Sequence, residues 1–340
     1  MKGSSAAKCS VCGGEAVYYS PLTRQHLCEK HFASYFRGRV ELVVDRYGML
    51  GRVSRTVVVA ASGGKDSATV AEVLAGIASR RGLRLLLVHV DVGVPVFSEA
   101  SRRSVLELAS RLGASAAILS LEEALGAAVH ELARRARRPV CSVCGLVKRY
   151  MINAACLAAG ESVVFTGHNM DDLATYVLKN FIMQDLPAIR KLVPVTEPID
   201  GMAAGRARPL YETPEREVEL YAKLRGIPFT GEECSFKPHS TLDETIRRAI
   251  SVIEEEKPGT ILSMMRRLAQ SARQYPESRY PLKPCRHCGA LSSRGECSLC
   301  RLTRRVLGEP LGPRVKEYVE VVVSRALGGC GASGAPSSSH

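Results

Sequence analysis

Six consecutive residues, Ser62-Gly63-Gly64-Lys65-Asp66-Ser67, follow directly on the apolar run Thr56-Val57-Val58-Val59-Ala60-Ala61. A buried strand that ends in two glycines and opens a helix makes a phosphate cradle. Backbone N–H groups turn inward, and the helix N-terminus adds positive field. Lys65 brings a mobile cation, and Ser62 and Ser67 bring hydroxyls. The pattern is not the GxxxxGK[ST] loop, because Val59 stands where its first glycine belongs and Asp66 follows the lysine. Such a cradle suits a pyrophosphate that departs, so the expected reaction splits ATP into AMP and pyrophosphate.

Twelve cysteines are many for a chain in a reducing compartment unless they bind metal, and eight of them form four Cys-x-x-Cys pairs. Cys9, Cys12, Cys28 and His31 form two knuckles separated by a hairpin-length gap, the spacing of a structural zinc site. Cys285, Cys288, Cys297 and Cys300 form a compact four-thiolate zinc ribbon. Cys141 and Cys144 have no partner pair nearby. Cys234 lies just past the apolar Ile227-Pro228-Phe229, where another strand is expected to end, so the three are grouped. They could hold a [4Fe–4S] cluster with one iron left open, form a catalytic disulfide or persulfide pair, or make a third zinc site. A helix expected over 145–159 would place Cys144 near its start, where the field favours thiolate, with Lys148 one turn on. Cys156 in the same Ala-rich helix reads as a small buried thiol.

The elements that must position these groups alternate. Strands are expected at 56–61, 85–91, 116–119 and 163–165, with helices at about 65–82, 99–112 and 122–137 between them. Alternation of this kind gives an α/β fold, a Rossmann-like parallel sheet flanked by helices, with ligands at the carboxyl ends of the strands. The phosphate loop, His89 to Val92 and Thr166 to Asp172 all fall at such ends, so one ATP could touch all three. Further helices are expected at 213–226, with Pro214 in its first turn, at about 241–273 and at about 314–326. The expected organisation is a zinc finger over 1–35, a linker helix over 36–54 and a catalytic domain over 55–240. A helical segment over 241–280, a zinc ribbon over 281–305, a terminal helix over 306–327 and a Gly/Ser-rich disordered tail over 328–340 follow.

Formal net charge is +13, with 35 arginines against 12 lysines. Such a surplus points to a polyanion. Two basic runs, 130–155 and 281–305, each carry a surplus of five and favour an RNA backbone. No signal peptide and no long uncharged apolar stretch is visible, so a cytoplasmic protein without a membrane partner is expected.

SGGKDS at 62–67, the element Gly167-His168-Asn169-Met170-Asp171-Asp172, the three grouped cysteines and both zinc modules resemble the TtuA-type tRNA 2-thiolation enzymes of the TtcA/TtuA family, in the PP-loop ATP pyrophosphatase superfamily. The resemblance runs from residue 9 to about 305. It implies an adenine-nucleotide α-hydrolase-like fold and, as cofactors, ATP with Mg²⁺, a [4Fe–4S] cluster and two Zn²⁺. It implies a homodimer, and a small ubiquitin-like sulfur donor with a C-terminal thiocarboxylate. The family's phosphate loop matches Ser62, Gly63, Gly64, Lys65, Asp66 and Ser67, and its cluster cysteines match Cys141, Cys144 and Cys234. Its lysine matches Lys148, and its catalytic aspartate matches Asp171 or Asp172. His89, Asp91, Gly167 and His168 complete the expected nucleotide contacts. Arg208-Pro209-Leu210-Tyr211 through Glu217, and Lys257-Pro258-Gly259-Thr260, look closer to enzymes of the T-loop uridine than of the anticodon wobble uridine.

The expected chemistry replaces the C2 oxygen of a tRNA uridine by sulfur after adenylation. Three other readings share parts of this pattern: the same chemistry at the anticodon wobble uridine, an ATP-dependent ligase with the same loop, which has no use for the three cysteines, and a zinc-ribbon RNA-binding scaffold without catalysis.

Overall fold

The computed structural model describes residues 7–238, 241–277 and 281–328. The tail expected to be disordered, with Cys330, lies outside them from residue 329 on. The chain begins with an antiparallel hairpin, β1 (Tyr18–Ser20) and β2 (Gln25–Leu27). Helix α1 (Glu29–Arg46) follows and buries Phe32, Phe36, Val40 and Val43 at helical spacing.

The central part runs β3 (Thr56–Ala60), α2 (Lys65–Arg80), β4 (Arg84–Asp91), α3 (Phe97–Leu112), β5 (Ser115–Ser120), α4 (Leu121–Leu125), α5 (Val129–Ala136), α6 (Val140–Ala158), β6 (Val163–Thr166), α7 (Met170–Ile182), α8 (Leu186–Ile189), β7 (Gly205–Ala207) and α9 (Glu215–Leu224). Strands β3 to β7 form one sheet in the order β5-β4-β3-β6-β7, every pair parallel. Connections run outward from β3 on one side and return to its other side at β6. The strand order therefore reverses between β3 and β6, where such sheets open a ligand crevice.

Side chains alternate across β3. Val57 and Val59 pack on one face with α1, α2 and α9, whereas Val58 packs on the other with α5 and α6. The two cores carry one zinc module each. Leu27 and Phe32 of the N-terminal module belong to the first, and Cys285, Cys297 and Leu299 of the C-terminal ribbon belong to the second.

The chain ends with α10 (Leu242–Glu256), α11 (Thr260–Ser271), the short hairpin β8 (Lys283–Pro284) and β9 (Leu291–Ser292), α12 (Ser298–Leu307) and α13 (Gly312–Gly328). Helices α12 and α13 pack on α6, and α12 also packs on α5. Both basic runs thus lie on the same face of the sheet, with Arg134, Arg135, Arg137, Arg138, Arg301, Arg304 and Arg305 exposed.

Several sequence expectations are corrected. The helix over 122–137 is two helices, because Gly126 adopts φ +71° and caps α4. The stretch over 241–273 is also two, parted at Lys257-Pro258-Gly259, where proline disfavours helix at Lys257 and Gly259 sits at φ +88°. Residues 227–229 form no strand; the fifth strand is β7, three residues with an arginine in the middle. Helix α6 starts at Val140 and not at 145. By length and composition α6 could cross a membrane, but it carries Lys148 and Arg149, and α5 and α13 pack against it.

Candidate active site

Strand β3 ends at Ala60 and the chain turns through Ser62, Gly63 and Gly64 into α2. The turn is held by Ser67, whose hydroxyl accepts from the Ser62 N–H at 3.0 Å and donates to the Gly64 carbonyl at 3.1 Å. Gly63 adopts φ +88°, and a Cβ there would lie 2.8 Å from Ser101 Cα. Gly167, at the end of β6, is constrained by proximity. A Cβ there would lie 2.6 Å from the Ser67 nitrogen, so only glycine lets the two loops meet.

Between these loops opens a cleft of about 630 Å³. Ser62, Asp66, Ser67, His89, Gly167, His168 and Asp172 line it, as do Gly145, Lys148, Arg149, Asn153, Arg206 and Arg208. The lining therefore brings two carboxylates and four cations to one cleft. Burial pushes the Asp66 carboxyl above its usual range. Burial, with Arg208 and Arg206 nearby, takes His168 down to about 4, so it is neutral near pH 7; its Nδ1 lies 3.0 Å from Thr166 Oγ1. His89 is 3% exposed; its Nδ1 lies 2.8 Å from the Ala61 carbonyl and its Nε2 has no partner. The first contact makes Nδ1 the protonated nitrogen and leaves Nε2 as an acceptor in the cleft.

Three expected contacts stand elsewhere. Asp91 accepts from the Gly93 N–H at 3.0 Å, closing the turn after β4, and does not line the cleft. Asp171 accepts from the Glu215 N–H at 2.7 Å, which caps α9. Asp172 is the aspartate that faces the cleft, where it contacts Arg247 of α10. Lys65 does not line the cleft. Its ammonium lies 2.8 Å from Glu215 and 3.2 Å from Asp66. Burial draws its pKa down, but the two carboxylates outweigh that and the net shift is upward.

The three grouped cysteines converge from two segments. Cys141 and Cys144 lie on the first two turns of α6. Thr230 donates to the Gly63 carbonyl at 2.8 Å, and the chain then runs from the phosphate loop to α6. There Phe236 stacks on His130, with ring centroids 5.8 Å apart, and its carbonyl accepts from Cys141 Sγ at 3.3 Å. Cys234, two residues earlier, is close enough to Cys144 to disfavour its ionisation, as is Cys141. Burial is the main cause that raises the Cys144 thiol, so the thiolate expected from a helix start is not favoured in the protein alone. Lys148 stands one turn on from Cys144 and borders the cleft.

The donor sets discriminate between metals. Cys9, Cys12, Cys28 and His31 have their ligand atoms all within 4.8 Å of one another, and so do Cys285, Cys288, Cys297 and Cys300. Each set fits one tetrahedral zinc ion. Cys141, Cys144 and Cys234 form no such group. Three free thiols match the donor count of a [4Fe–4S] cluster with one iron left open. Magnesium typically takes one or two carboxylates plus substrate phosphates, and Asp66 and Asp172 in the cleft meet that requirement.

Sequence reasoning did not single out Arg206, Glu215 or Arg247. The alternation Gly205-Arg206-Ala207-Arg208 carried a usable signal, since it puts two arginines on one face of a strand.

A family model described as a PP-loop domain matches residues 38–251. A second, the N-terminal LIM domain of the 2-thiouridine synthetase TtuA, matches residues 8–33. The tRNA-5-methyluridine(54) 2-sulfurtransferase of Pyrococcus horikoshii is 34% identical over 297 residues, covering 86% of this chain and 93% of its own length. That of Thermus thermophilus is 33% identical, covering 91% and 98%. Cytoplasmic tRNA 2-thiolation protein 1 of Bos taurus is 31% identical, covering 87% of each. Among solved structures, the U34-tRNA thiolase NcsA of Methanococcus maripaludis, solved with its [4Fe–4S] cluster, shares the fold. Its TM-score is 0.72 at 20% identity, covering 88% of this chain and 96% of its own.

Proposed function

The chain belongs to the PP-loop tRNA 2-thiolation family, and from that premise we propose that it is an ATP-dependent tRNA-uridine 2-sulfurtransferase. The observation that carries this reading is the convergence of three segments on one cleft. The phosphate loop lines it, as do Gly145 and Lys148 of the α6 turn that follows Cys144, and the Cys234 segment runs from that loop to the start of α6.

The C2 oxygen of uridine is a poor leaving group. It attacks the α-phosphorus of ATP, the bond to the β-phosphate breaks, and pyrophosphate leaves into the Ser62–Ser67 loop. The loop N–H groups and the Ser62 and Ser67 hydroxyls bind that pyrophosphate, and Lys65 exchanges Glu215 for it. Asp66 and Asp172 would hold Mg²⁺, which offsets phosphate charge. His89, neutral and accepting at Nε2, orients a donor on the nucleotide. Sulfur then takes the place of the activated oxygen at C2, and AMP departs with that oxygen. Cys141, Cys144 and Cys234 would hold a [4Fe–4S] cluster, and this group supplies an iron without a cysteine ligand, a binding place for sulfide. Lys148 orients the reacting nucleotide from the cysteine side.

The T-loop uridine, position 54, is the proposed target. The TtuA N-terminal model matches this chain, and the Pyrococcus and Thermus relatives are named for that position. A small thiocarboxylated protein is the proposed sulfur donor, and the proposed state is a cytoplasmic homodimer. The bovine relative's name supports the compartment. The reading is tested by anaerobic incubation with unmodified tRNA and ATP, followed by nuclease digestion and mass mapping. A thio group at position 54 is expected. A thio group at the wobble position would refute the target, and none at all would refute the reaction.

A further inference from the structure

Three arginines that line the cleft, Arg149, Arg206 and Arg208, are not used by the reaction as derived so far. Arg206 lies in β7 and Arg208 two residues on, so both extend from the same face of the strand. Their backbone is fixed. The Arg206 N–H donates to Thr196 Oγ1 at 2.9 Å, its carbonyl accepts from the Thr196 N–H at 3.0 Å, and an Arg208 guanidinium nitrogen donates to the Val193 carbonyl. Arg208 is 5% exposed, and its Nε has no partner. Arg149 and Lys148 of α6 border the same space. Among the described residues, none of these four cations is paired with a carboxylate. The cleft's own carboxylates are engaged already, Asp66 by Lys65 and Asp172 by Arg247.

Buried arginines without a counter-ion are costly. Here burial, with Arg149 near Arg206 and Arg206 near Arg208, lowers the pKa of both Arg206 and Arg208. An anion from outside relieves that cost. The leaving pyrophosphate already has the N–H groups and hydroxyls of the Ser62–Ser67 loop, so these arginines are free for a second anion. The cations also grade outward, from buried Arg208 through half-buried Arg206 to exposed Arg149. Helix α6 then continues back to the exposed Arg134–Arg138 run. A polymer needs a track from surface to interior, whereas a mononucleotide does not.

We infer that Arg206, Arg208 and Arg149 form a phosphodiester site that grips the RNA backbone beside the nucleotide being modified. Arginine suits this task, because its planar fork binds two phosphate oxygens at once. The site rests on the RNA-thiolation reading above. It makes Arg206 of β7 and Arg208 just beyond it positioning residues, setting how deep the target base enters.

The test uses the full-length, anaerobically reconstituted protein and an unmodified tRNA transcript. Equilibrium binding is measured across a salt series for the wild type, Arg206→Ala, Arg206→Lys and Arg149→Ala, and ATP binding is measured in parallel. Arg206→Ala should weaken tRNA binding by about tenfold and lower the log–log salt slope by about one, with Arg149→Ala showing a smaller loss of the same kind. Arg206→Lys should restore the slope but not the full affinity, and ATP affinity should stay within twofold. Loss of ATP affinity with an unchanged salt slope would assign these arginines to the nucleotide and overturn the inference. Unchanged binding of both in folded variants would make the arginines structural and also overturn it. If Arg206→Ala does not fold, Arg149→Ala, at an exposed position, decides by the same slope. The binding readout does not depend on turnover, so absence of thiouridine in the wild type would sink the parent reading separately.

Discussion

The Lys65 ammonium lies 2.8 Å from a Glu215 carboxylate oxygen, so the lysine of the phosphate loop is engaged by a helix 150 residues away in the chain. Glu215 also accepts from Arg247 at 2.8 Å, and Arg247 reaches Asp172. Asn169 joins Asp172 to Asp66, and Asp66 returns to Lys65 at 3.2 Å. This closed ring ties α2, α7, α9 and α10 together at the mouth of the cleft, and binding a triphosphate means opening it at Lys65.

Glu215→Gln removes the charge that competes with phosphate for Lys65. Glu215 is partly exposed, so the effect is that of a partly screened pair, and the KM for ATP should fall by about two- to fivefold. Lys65→Ala should instead lower pyrophosphate release by at least about a hundredfold while tRNA binding survives. A pyrophosphate-release assay on both variants reads the two effects. A Glu215→Gln enzyme with a raised KM would show that the contact aids binding.

The neighbouring aspartates should separate cleanly. Asp171→Asn weakens a helix cap and should cost about 1 kcal/mol of stability with most activity retained. Asp172→Asn removes a carboxylate from the cleft and weakens the contact with Arg247, so it should abolish AMP formation, far beyond what its modest cost in stability explains. Thermal melts and AMP production, measured together, distinguish them, and the reverse pattern would exchange their roles.

Glu212 ties the end of α1 to α11. It is 3% exposed and accepts from Arg46 at 2.8 Å, Tyr47 at 2.8 Å and Arg266 at 2.6 Å. Burial raises its pKa, but Arg266, Tyr47 and Arg46 outweigh that and the net shift is downward. A depressed carboxylate contributes stability that is present above its unfolded value of 4.5 and is lost as pH falls below it through the folded pKa. Denaturant midpoints should therefore drop below about pH 4.5, and Glu212→Gln should flatten that drop while costing about 2 kcal/mol at pH 7. An unchanged acid limb in the variant would remove Glu212 from the account.

The two zinc modules differ in burial, and their loss should differ accordingly. Cys285, Cys297 and Cys300 are at most 3% exposed and belong to the core beneath α13, whereas Cys12 is exposed. Cys300→Ser and Cys12→Ser should each reduce bound zinc from two ions per chain to one. Structural zinc binding is worth on the order of 10 kcal/mol, so both should lower the melting temperature, Cys300→Ser more. Equal melting shifts would contradict the idea that the ribbon is part of the core.

The phosphate loop, the first four strands and both zinc sites were legible because each is local: an apolar run, a Gly-Gly turn, a ligand spacing. What was missed depends on distance. Strand β7 has no apolar run, since Gly205 and Ala207 are chosen for close packing and Arg206 points into the cleft, so the expected strand was placed at 227–229 instead. The choice between Asp171 and Asp172 rests on Glu215 and Arg247, which no spacing links to them. The helix break at Gly126 was readable in principle, because glycine there serves a left-handed cap.

The central claim is that three thiols from two segments hold the sulfur-presenting centre beside the ATP cleft, and one measurement addresses it most directly. It is the yield of 2-thiouridine in tRNA from iron-free protein, compared with the same protein after anaerobic reconstitution with iron and sulfide. The account predicts no product without iron and restored product with it, restoration failing in Cys234→Ser. Undiminished thiolation by iron-free protein would contradict it and leave a persulfide on Cys141 or Cys234 as the carrier.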